Sequence, residues 1–198
     1  MRQDVLYALI LFCFVSGVTP GPNNIMLMTS GVNFGFRRTL PHLVGVVLGF
    51  AAMVALIGLG LDAIFARFPQ LMPVMRWAGA AYLLWLAWRI ANSGPMREGV
   101  VEGRPLGFFG AAAFQWINPK GWVMAISALT AYSVTDDYTI SVIAVALTYL
   151  AIGFPSSGAW VVFGSAMRKA LRDPGTARAF NLTMAALLVA SIVPIFWE

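Results

Sequence analysis

The feature that most constrains this chain is a series of six long apolar segments joined by short polar connections. A helix needs about 20 mostly apolar residues to cross the hydrocarbon core of a bilayer. Six such segments use nearly all of the 198 residues. The sequence therefore predicts an all-α integral membrane protein whose residues 1–198 form a single transmembrane domain. The predicted helices lie near residues 5–30, 41–64, 72–92, 107–132, 138–165 and 178–197.

Composition excludes an ordinary soluble protein. Hydrophobic residues make up 60% of the chain and charged residues 11%, whereas soluble domains have about 45–50% and about 25%. The net charge of +5 would be compatible with nucleic-acid binding, but the basic residues lie between apolar segments, where membrane proteins carry them. We therefore expect lipid and a small solute as partners, and no nucleic acid.

The sequence also lacks the usual signatures of enzymes. It has one histidine and one cysteine, too few for a metal-ligand cluster. It contains no Walker-type glycine loop and no HExxH or GxSxG motif. We therefore expect neither a cofactor nor catalytic activity.

The distribution of lysine and arginine predicts the orientation. Nine of these residues fall in the connections after the first, third and fifth segments, and three fall on the opposite side. The nine are Arg37, Arg38, Arg89, Arg97, Arg104, Arg168, Lys169, Arg172 and Arg178, and the three are Arg2, Arg67 and Arg76. Because positive charge concentrates on the cytoplasmic side, both termini are predicted to lie outside.

The first apolar segment contains a break. Pro20 and Pro22 cannot donate backbone hydrogen bonds, and Gly21 between them adds backbone freedom. Asn23 and Asn24 then place two amides where lipid would penalise them. Irregular backbone survives at membrane depth only inside protein or beside a wet cavity. The break is therefore a candidate transport site.

The fourth segment contains a second break. Pro119 removes the hydrogen bond to the carbonyl of Gln115, and Asn118 precedes the proline. Lys120 places an ammonium group close to the middle of the span. A central lysine costs about 2.5–3.5 kcal/mol on an insertion scale. Such a residue usually faces a partner, a cavity or a substrate.

The two breaks occupy matching positions, each in the first helix of a three-helix half. The halves are residues 1–93 and 105–198, and Pro20 and Pro119 lie at similar depth. Three helices per half require the second half to enter from the opposite side, which predicts two inverted three-helix repeats with broken helices 1 and 4. Broken ends suit a zwitterion, since they offer N–H groups to an anion and carbonyls to a cation. The alternative is that the prolines are tolerated kinks and that Lys120 snorkels.

Other residues carry weaker signals. Gly45 and Gly49 form a small-xxx-small face for helix packing. Arg37 could meet an anionic group at the inner mouth. Cys13 is expected to be an inert core residue, and Pro155 marks either a kink or a cavity wall.

These motifs resemble the LysE/RhtB family of amino-acid exporters, and are nearest to its cysteine and O-acetylserine exporter branch. The resemblance extends over essentially the whole chain. Its carriers are Pro20-Gly21-Pro22-Asn23-Asn24, Gly35-Phe36-Arg37-Arg38, Gly45, Gly49, Asn118-Pro119-Lys120-Gly121 and the stretch from Trp77 to Trp88.

The resemblance implies six helices in the bacterial inner membrane and a homodimer. It also implies export, driven by the proton gradient, of small neutral amino acids or derivatives such as cysteine, O-acetylserine, threonine or homoserine. The transport-site positions it implies are Pro20, Gly21, Pro22, Asn23, Asn118, Pro119 and Lys120, to which the residues' own chemistry adds Asn24 and Gln115. Two alternatives stay open: a channel or exporter for another small solute, and a membrane assembly subunit that does not transport.

Overall fold

A computed structural model describes residues 3–61, 67–68, 70–93, 103–132 and 137–192 of the chain. Within these ranges every regular element is helical. The helices are α1 (Gln3–Val18), α2 (Pro22–Leu56), α3 (Leu71–Ala91), α4 (Phe108–Phe114), α5 (Pro119–Tyr132), α6 (Tyr138–Met167) and α7 (Pro174–Ala190). A π-helical turn covers Ile57–Leu61, and 3₁₀ turns cover Gln115–Ile117 and Ala170–Arg172. The all-α prediction is confirmed for these residues. Outside them lie Arg2, most of the connection between the two predicted halves (including Arg97), and the predicted helix ends at 62–64 and 193–197.

The longest helix contains a sharp kink at Gly35. Helical residues run from Pro22 to Gly60, a length of 39 residues, or about 58 Å and about twice the hydrocarbon thickness. Gly35 has φ 77° and ψ 171°, a conformation that a side chain would strain. The predicted bounds were wrong here. The helix does not stop at residue 30 and restart at 41; one glycine makes the connection.

Among the described residues, two helices are long and apolar enough to cross a bilayer by length and composition. They are Pro22–Gly60 and Tyr138–Met167, whose most apolar 18-residue stretches have mean hydropathies of 2.5 and 1.7. Gln3–Val18 and Phe108–Ile117 are shorter apolar helices, and each of them ends at one of the two breaks. Each of these two shorter helices can therefore span a bilayer only together with the helix on the other side of its break.

The last helix begins earlier than predicted, at Pro174 rather than at 178. Asp173 caps it, because its Oδ2 accepts a hydrogen bond from the Thr176 backbone N–H at 2.7 Å. Hydrogen bonds from the backbone N–H and the hydroxyl of Thr176 hold the pKa of the Asp173 carboxyl below its usual range. Pro174 follows the cap, where its missing N–H costs nothing. The cap therefore extends α7 into a stretch whose hydropathy does not mark it as helix.

Glycines set the closest helix contacts. Gly164 of α6 lies against the backbone of Met28 in α2, and a Cβ on Gly31 would come within 2.5 Å of the Val161 carbonyl oxygen. Gly45 similarly faces the Phe108 carbonyl of α4. A Cβ on Gly49 of α2, one turn further along, would lie 2.6 Å from the Cα of Ala112 in α4.

The outer surface of the helices is strongly apolar. Trp88 is 66% exposed, Phe109 83%, Leu147 56% and Val162 55%. Soluble monomers rarely expose so many large apolar side chains together. Inside, the apolar side chains form buried clusters, one of which joins α1, α2, α5 and α6 around Met53, Ala125 and Val145. The helices thus present apolar groups both to their core and to their surroundings, as a bilayer requires.

Candidate functional site

The first break separates α1 from α2 at residues 19–21. Gly21 is fully extended there, with φ −174° and ψ 175°, a conformation open to any residue. The absence of a side chain leaves room for Lys120, because a Cβ at this position would lie 2.7 Å from Cδ of Lys120 and 3.1 Å from its Nζ and would displace that side chain. Pro22 begins α2, where its missing N–H is not needed.

The backbone carbonyls freed by this break all receive donors. Asn24 Nδ2 donates to Gly17 O at 2.7 Å and to Thr19 O at 3.0 Å. Trp160 Nε1 of α6 donates to Val18 O at 3.2 Å. The Thr19 hydroxyl donates back to Ser16 O at 2.8 Å. Since an unpaired carbonyl in hydrocarbon costs several kcal/mol, these side chains make the break tolerable.

The second break lies between α4 and α5. The chain tightens into the 3₁₀ turn Gln115–Ile117, and Asn118 is then extended, with φ −84° and ψ 106°. Asn118 N donates to Gln115 O at 3.3 Å, and Trp122 Nε1 donates to Trp116 O at 2.9 Å. A neighbouring indole therefore caps a carbonyl at this break too.

A pair of side-chain amides joins the two breaks directly. Asn23 Nδ2 donates to Gln115 Oε1 at 2.7 Å, and Gln115 Nε2 donates back to Asn23 Oδ1 at 3.2 Å. Gln115 Nε2 also donates to Ala111 O at 2.8 Å, and its side chain is fully buried. Both heteroatoms of this amide are therefore occupied, and Gln115 acts as a bridge between the breaks.

Lys120 forms a second connection between them. Its Nζ donates to the Thr19 carbonyl at 2.8 Å and to the Thr19 hydroxyl at 2.7 Å, with a longer contact of 3.4 Å to Pro20 O. The ammonium group thus lies at the C-terminal end of α1, where the helix dipole favours positive charge. The partners of Lys120 are neutral, so a carboxylate could compete for it.

The two breaks border a cavity of about 510 Å³, counting the space at its mouth. Lys120 is the one charged side chain among the described residues that line it. The lining also includes Asn118, only 2% exposed, whose Oδ1 has no hydrogen-bond partner among the described residues. The cavity is thus lined by one cation and by a buried amide whose oxygen is unpaired.

The structure brings together five of the residues predicted for the transport site: Gly21, Asn23, Asn24, Asn118 and Lys120 all line the cavity. The other four, Pro20, Pro22, Gln115 and Pro119, do not line it and instead shape or bridge the breaks. Arg37 is exposed two residues beyond the Gly35 kink and lies apart from the cavity. Gly45 and Gly49 lie against α4 instead of lining the cavity.

Four hydroxyl-bearing residues also line the cavity: Ser16, Tyr149, Ser156 and Ser157. The sequence did not single out Ser16 or Tyr149, whereas Ser156 and Ser157 follow Pro155, which was expected to mark either a kink or a cavity wall. The available signal was Pro155-Ser156-Ser157, a polar stretch inside an apolar helix, although α6 continues through Pro155 without interruption. Cys13, expected to be a core residue, is 1% exposed and packs in the core while also bordering the cavity.

Two interrupted apolar helices that meet at a polar cavity define the architecture of a membrane transporter. The family model of the LysE type translocator matches residues 14–193, and the chain therefore belongs to that family. Cysteine/O-acetylserine efflux proteins of Escherichia coli strain K12 and Shigella sonnei strain Ss046 are each 33% identical to it, over 100% of both chains. No solved structure matches it significantly. The chain is thus a membrane protein of a transporter family.

Proposed function

We propose that this protein is a secondary exporter of small neutral amino acids or their derivatives, such as cysteine, O-acetylserine, threonine or homoserine. The observation that carries the proposal is the cavity between the two breaks, which holds one cation and an unpaired buried acceptor. A zwitterion presents the opposite groups, a carboxylate and an ammonium. The similarity to cysteine/O-acetylserine efflux proteins over the full chain supports the same class of substrate.

Lys120 would bind the carboxylate. Its three hydrogen-bond acceptors in the structure are neutral oxygens of Thr19 and Pro20, and a charge-assisted bond to a carboxylate is stronger than bonds to such groups. Substrate entry would exchange these contacts for the carboxylate and leave the Thr19 carbonyl to Asn24, which already donates to it. The Thr19 carbonyl therefore still has a hydrogen-bond donor after the exchange.

Export would proceed by alternating access of two inverted three-helix repeats, with the proton gradient as the energy source. The matching positions of the breaks support this arrangement, because in such transporters the halves rock around a site formed by discontinuous helices. The contacts of Asn23 with Gln115 and of Lys120 with Thr19 join the proposed halves at the site itself.

Counterflow in vesicles tests the carrier. Purified protein would be reconstituted with unlabelled L-cysteine, O-acetyl-L-serine, L-threonine or L-homoserine inside, and labelled amino acid would be added outside. A carrier accumulates label transiently above equilibrium, since the unlabelled substrate drives exchange. Accumulation with at least one of the four is expected. Flux without trans-stimulation would instead identify a channel, and no flux with any of them would overturn amino-acid transport.

We also propose that the protein lies in the bacterial inner membrane with both termini outside, on the basis of the lysine and arginine bias. A reporter active only in the cytoplasm, fused after Glu198, should be silent, and a reporter active only in the periplasm should be active. The opposite pattern would reverse the topology. The homodimer implied by the family resemblance stays a prediction, to be checked by the mass of the detergent-solubilised protein.

A further inference from the structure

We propose that Asn118, Ser156 and Ser157 form the subsite for the α-ammonium group of the substrate, and that this subsite selects amino acids with a free amino group over their N-acylated forms. The inference rests on the proposed function, because it assigns one end of the same cavity. It goes further by predicting which chemical change in the substrate the protein rejects.

The amide oxygen of Asn118 is unpaired. Its Oδ1 is buried and has no hydrogen-bond partner among the described residues, although the side chain lines the cavity. A buried acceptor without a donor is costly, and natural sites retain one where a ligand or water supplies the donor. The extended backbone at Asn118 holds this side chain at the second break. The cavity therefore lacks a donor at this point.

The two serine hydroxyls already donate their hydrogens within the protein. Ser156 Oγ donates to the Ile152 carbonyl at 2.8 Å, and Ser157 Oγ donates to Asn24 Oδ1 at 3.4 Å. A hydroxyl has one hydrogen and two acceptor lone pairs. Once the hydrogen is used within the protein, the group offers a ligand only acceptors. These two lining hydroxyls can thus accept hydrogen bonds from a ligand, as the Asn118 oxygen can.

A glycine leaves space beside one of these acceptors, the Ser156 hydroxyl. A Cβ at Gly17 would lie 2.9 Å from Ser156 Oγ, so the absence of a side chain there leaves the hydroxyl uncovered. Gly21 leaves the same kind of space beside Lys120. Glycines in and beside the first break thus leave space next to both Ser156 and Lys120.

These acceptors fit a primary ammonium group, which has three N–H donors. N-acylation leaves one N–H, removes the charge and adds bulk at the same atom. No carboxylate occurs among the described lining residues, so nothing there would bind an ammonium by opposite charge. Recognition at this subsite then depends on the hydrogen bonds that the ammonium group donates, and it falls when N-acylation removes two of the three donors together with the charge that strengthens them.

The test uses the counterflow assay with matched competitors. For each amino acid that the wild-type protein exchanges, the unlabelled parent, its N-acetyl derivative and its α-methyl derivative would compete with the label. The α-methyl compound adds bulk near the amine while keeping all three donors. We expect competition from the parent and the α-methyl compound, and competition at least about tenfold weaker from the N-acetyl compound. Equal competition by the N-acetyl compound would overturn the subsite while amino-acid exchange stands.

Two substitutions assign the selectivity to these residues. Asn118→Leu removes the acceptor at similar size, and Ser156→Ala removes the hydroxyl; each should lower the parent-to-N-acetyl selectivity roughly 2- to 10-fold. Ser165→Ala is the matched control, since Ser165 also lies on α6 and donates to the carbonyl four residues earlier, Val161 O at 2.8 Å, but does not line the cavity. Wild-type selectivity in both Asn118→Leu and Ser156→Ala would contradict the assignment, and Ser156→Ala remains informative if Asn118→Leu fails to fold.

Discussion

Replacing Lys120 with methionine is expected to reduce export at least about tenfold, to near the level of cells without the protein, while the amount of protein in the membrane stays normal. Methionine keeps an unbranched side chain of similar length and removes the charge. A hydrogen bond to a charged group contributes about 1.5–3 kcal/mol, which corresponds to roughly 10- to 100-fold in binding. The measurement is efflux of labelled amino acid from loaded cells, normalised to membrane protein.

Two further variants separate substrate binding from structural support by Lys120. Lys120→Arg keeps the positive charge and should retain part of the export, although its planar guanidinium fits the three contacts at Thr19 and Pro20 poorly. Lys169→Met removes a lysine from the exposed turn after α6 and should export normally. Full export by Lys120→Met would exclude a role for the ammonium group, and loss of the protein from the membrane would show that Lys120 is structural.

Replacing Gly164 with valine should prevent stable folding. A Cβ at this position would lie 2.9 Å from the Met28 carbonyl carbon and 3.0 Å from its Cα, with the carbonyl oxygen closer still. These are backbone atoms, so α2 and α6 would have to separate along a crossing that also includes Gly31. Overpacking costs about 1–3 kcal/mol even where side chains can adjust, and here they cannot. We expect a strong fall in the thermal midpoint of the detergent-solubilised protein and little protein in the membrane.

Gly158→Ala provides the matched control on the same helix. The nearest atom to a Cβ at Gly158 is a methyl carbon of Leu43 at 3.7 Å, an ordinary van der Waals distance. Alanine also favours the helical conformation over glycine by about 1 kcal/mol. Gly158→Ala should therefore be at least as stable as the wild type. A Gly164→Val protein with the wild-type midpoint would show that the α2–α6 crossing is not close in solution.

The breaks were predictable because proline acts locally. Pro20, Pro22 and Pro119 each remove a backbone donor wherever they occur, and the structure interrupts its helices at these residues. The Gly35 kink was not predictable to the residue. The basic stretch after it marks a connection, but the hydropathy pattern cannot distinguish a short loop from a single glycine in a left-handed conformation.

Only some of the residues that line the cavity could be predicted from the sequence. Asn118 and Lys120 attract attention because polar groups are costly in an apolar segment. Ser156 and Tyr149 do not, because a hydroxyl that bonds to the carbonyl of a neighbouring turn is tolerated in any membrane helix. Whether such a residue faces a cavity depends on the packing of α6 against α1 and α2, which involves residues far apart in sequence.

Some of the carbonyls at the end of α1 receive donors from residues made much later in synthesis. Lys120 follows Thr19 by 101 positions, and Trp160 follows Val18 by 142. At about 5–20 residues per second, the ribosome needs roughly 5–30 s to supply them. During that interval the nascent first segment contains a broken helix end that these later residues cannot yet cap. A chain truncated before Lys120 therefore lacks two of the donors at the first break, however well its helices insert.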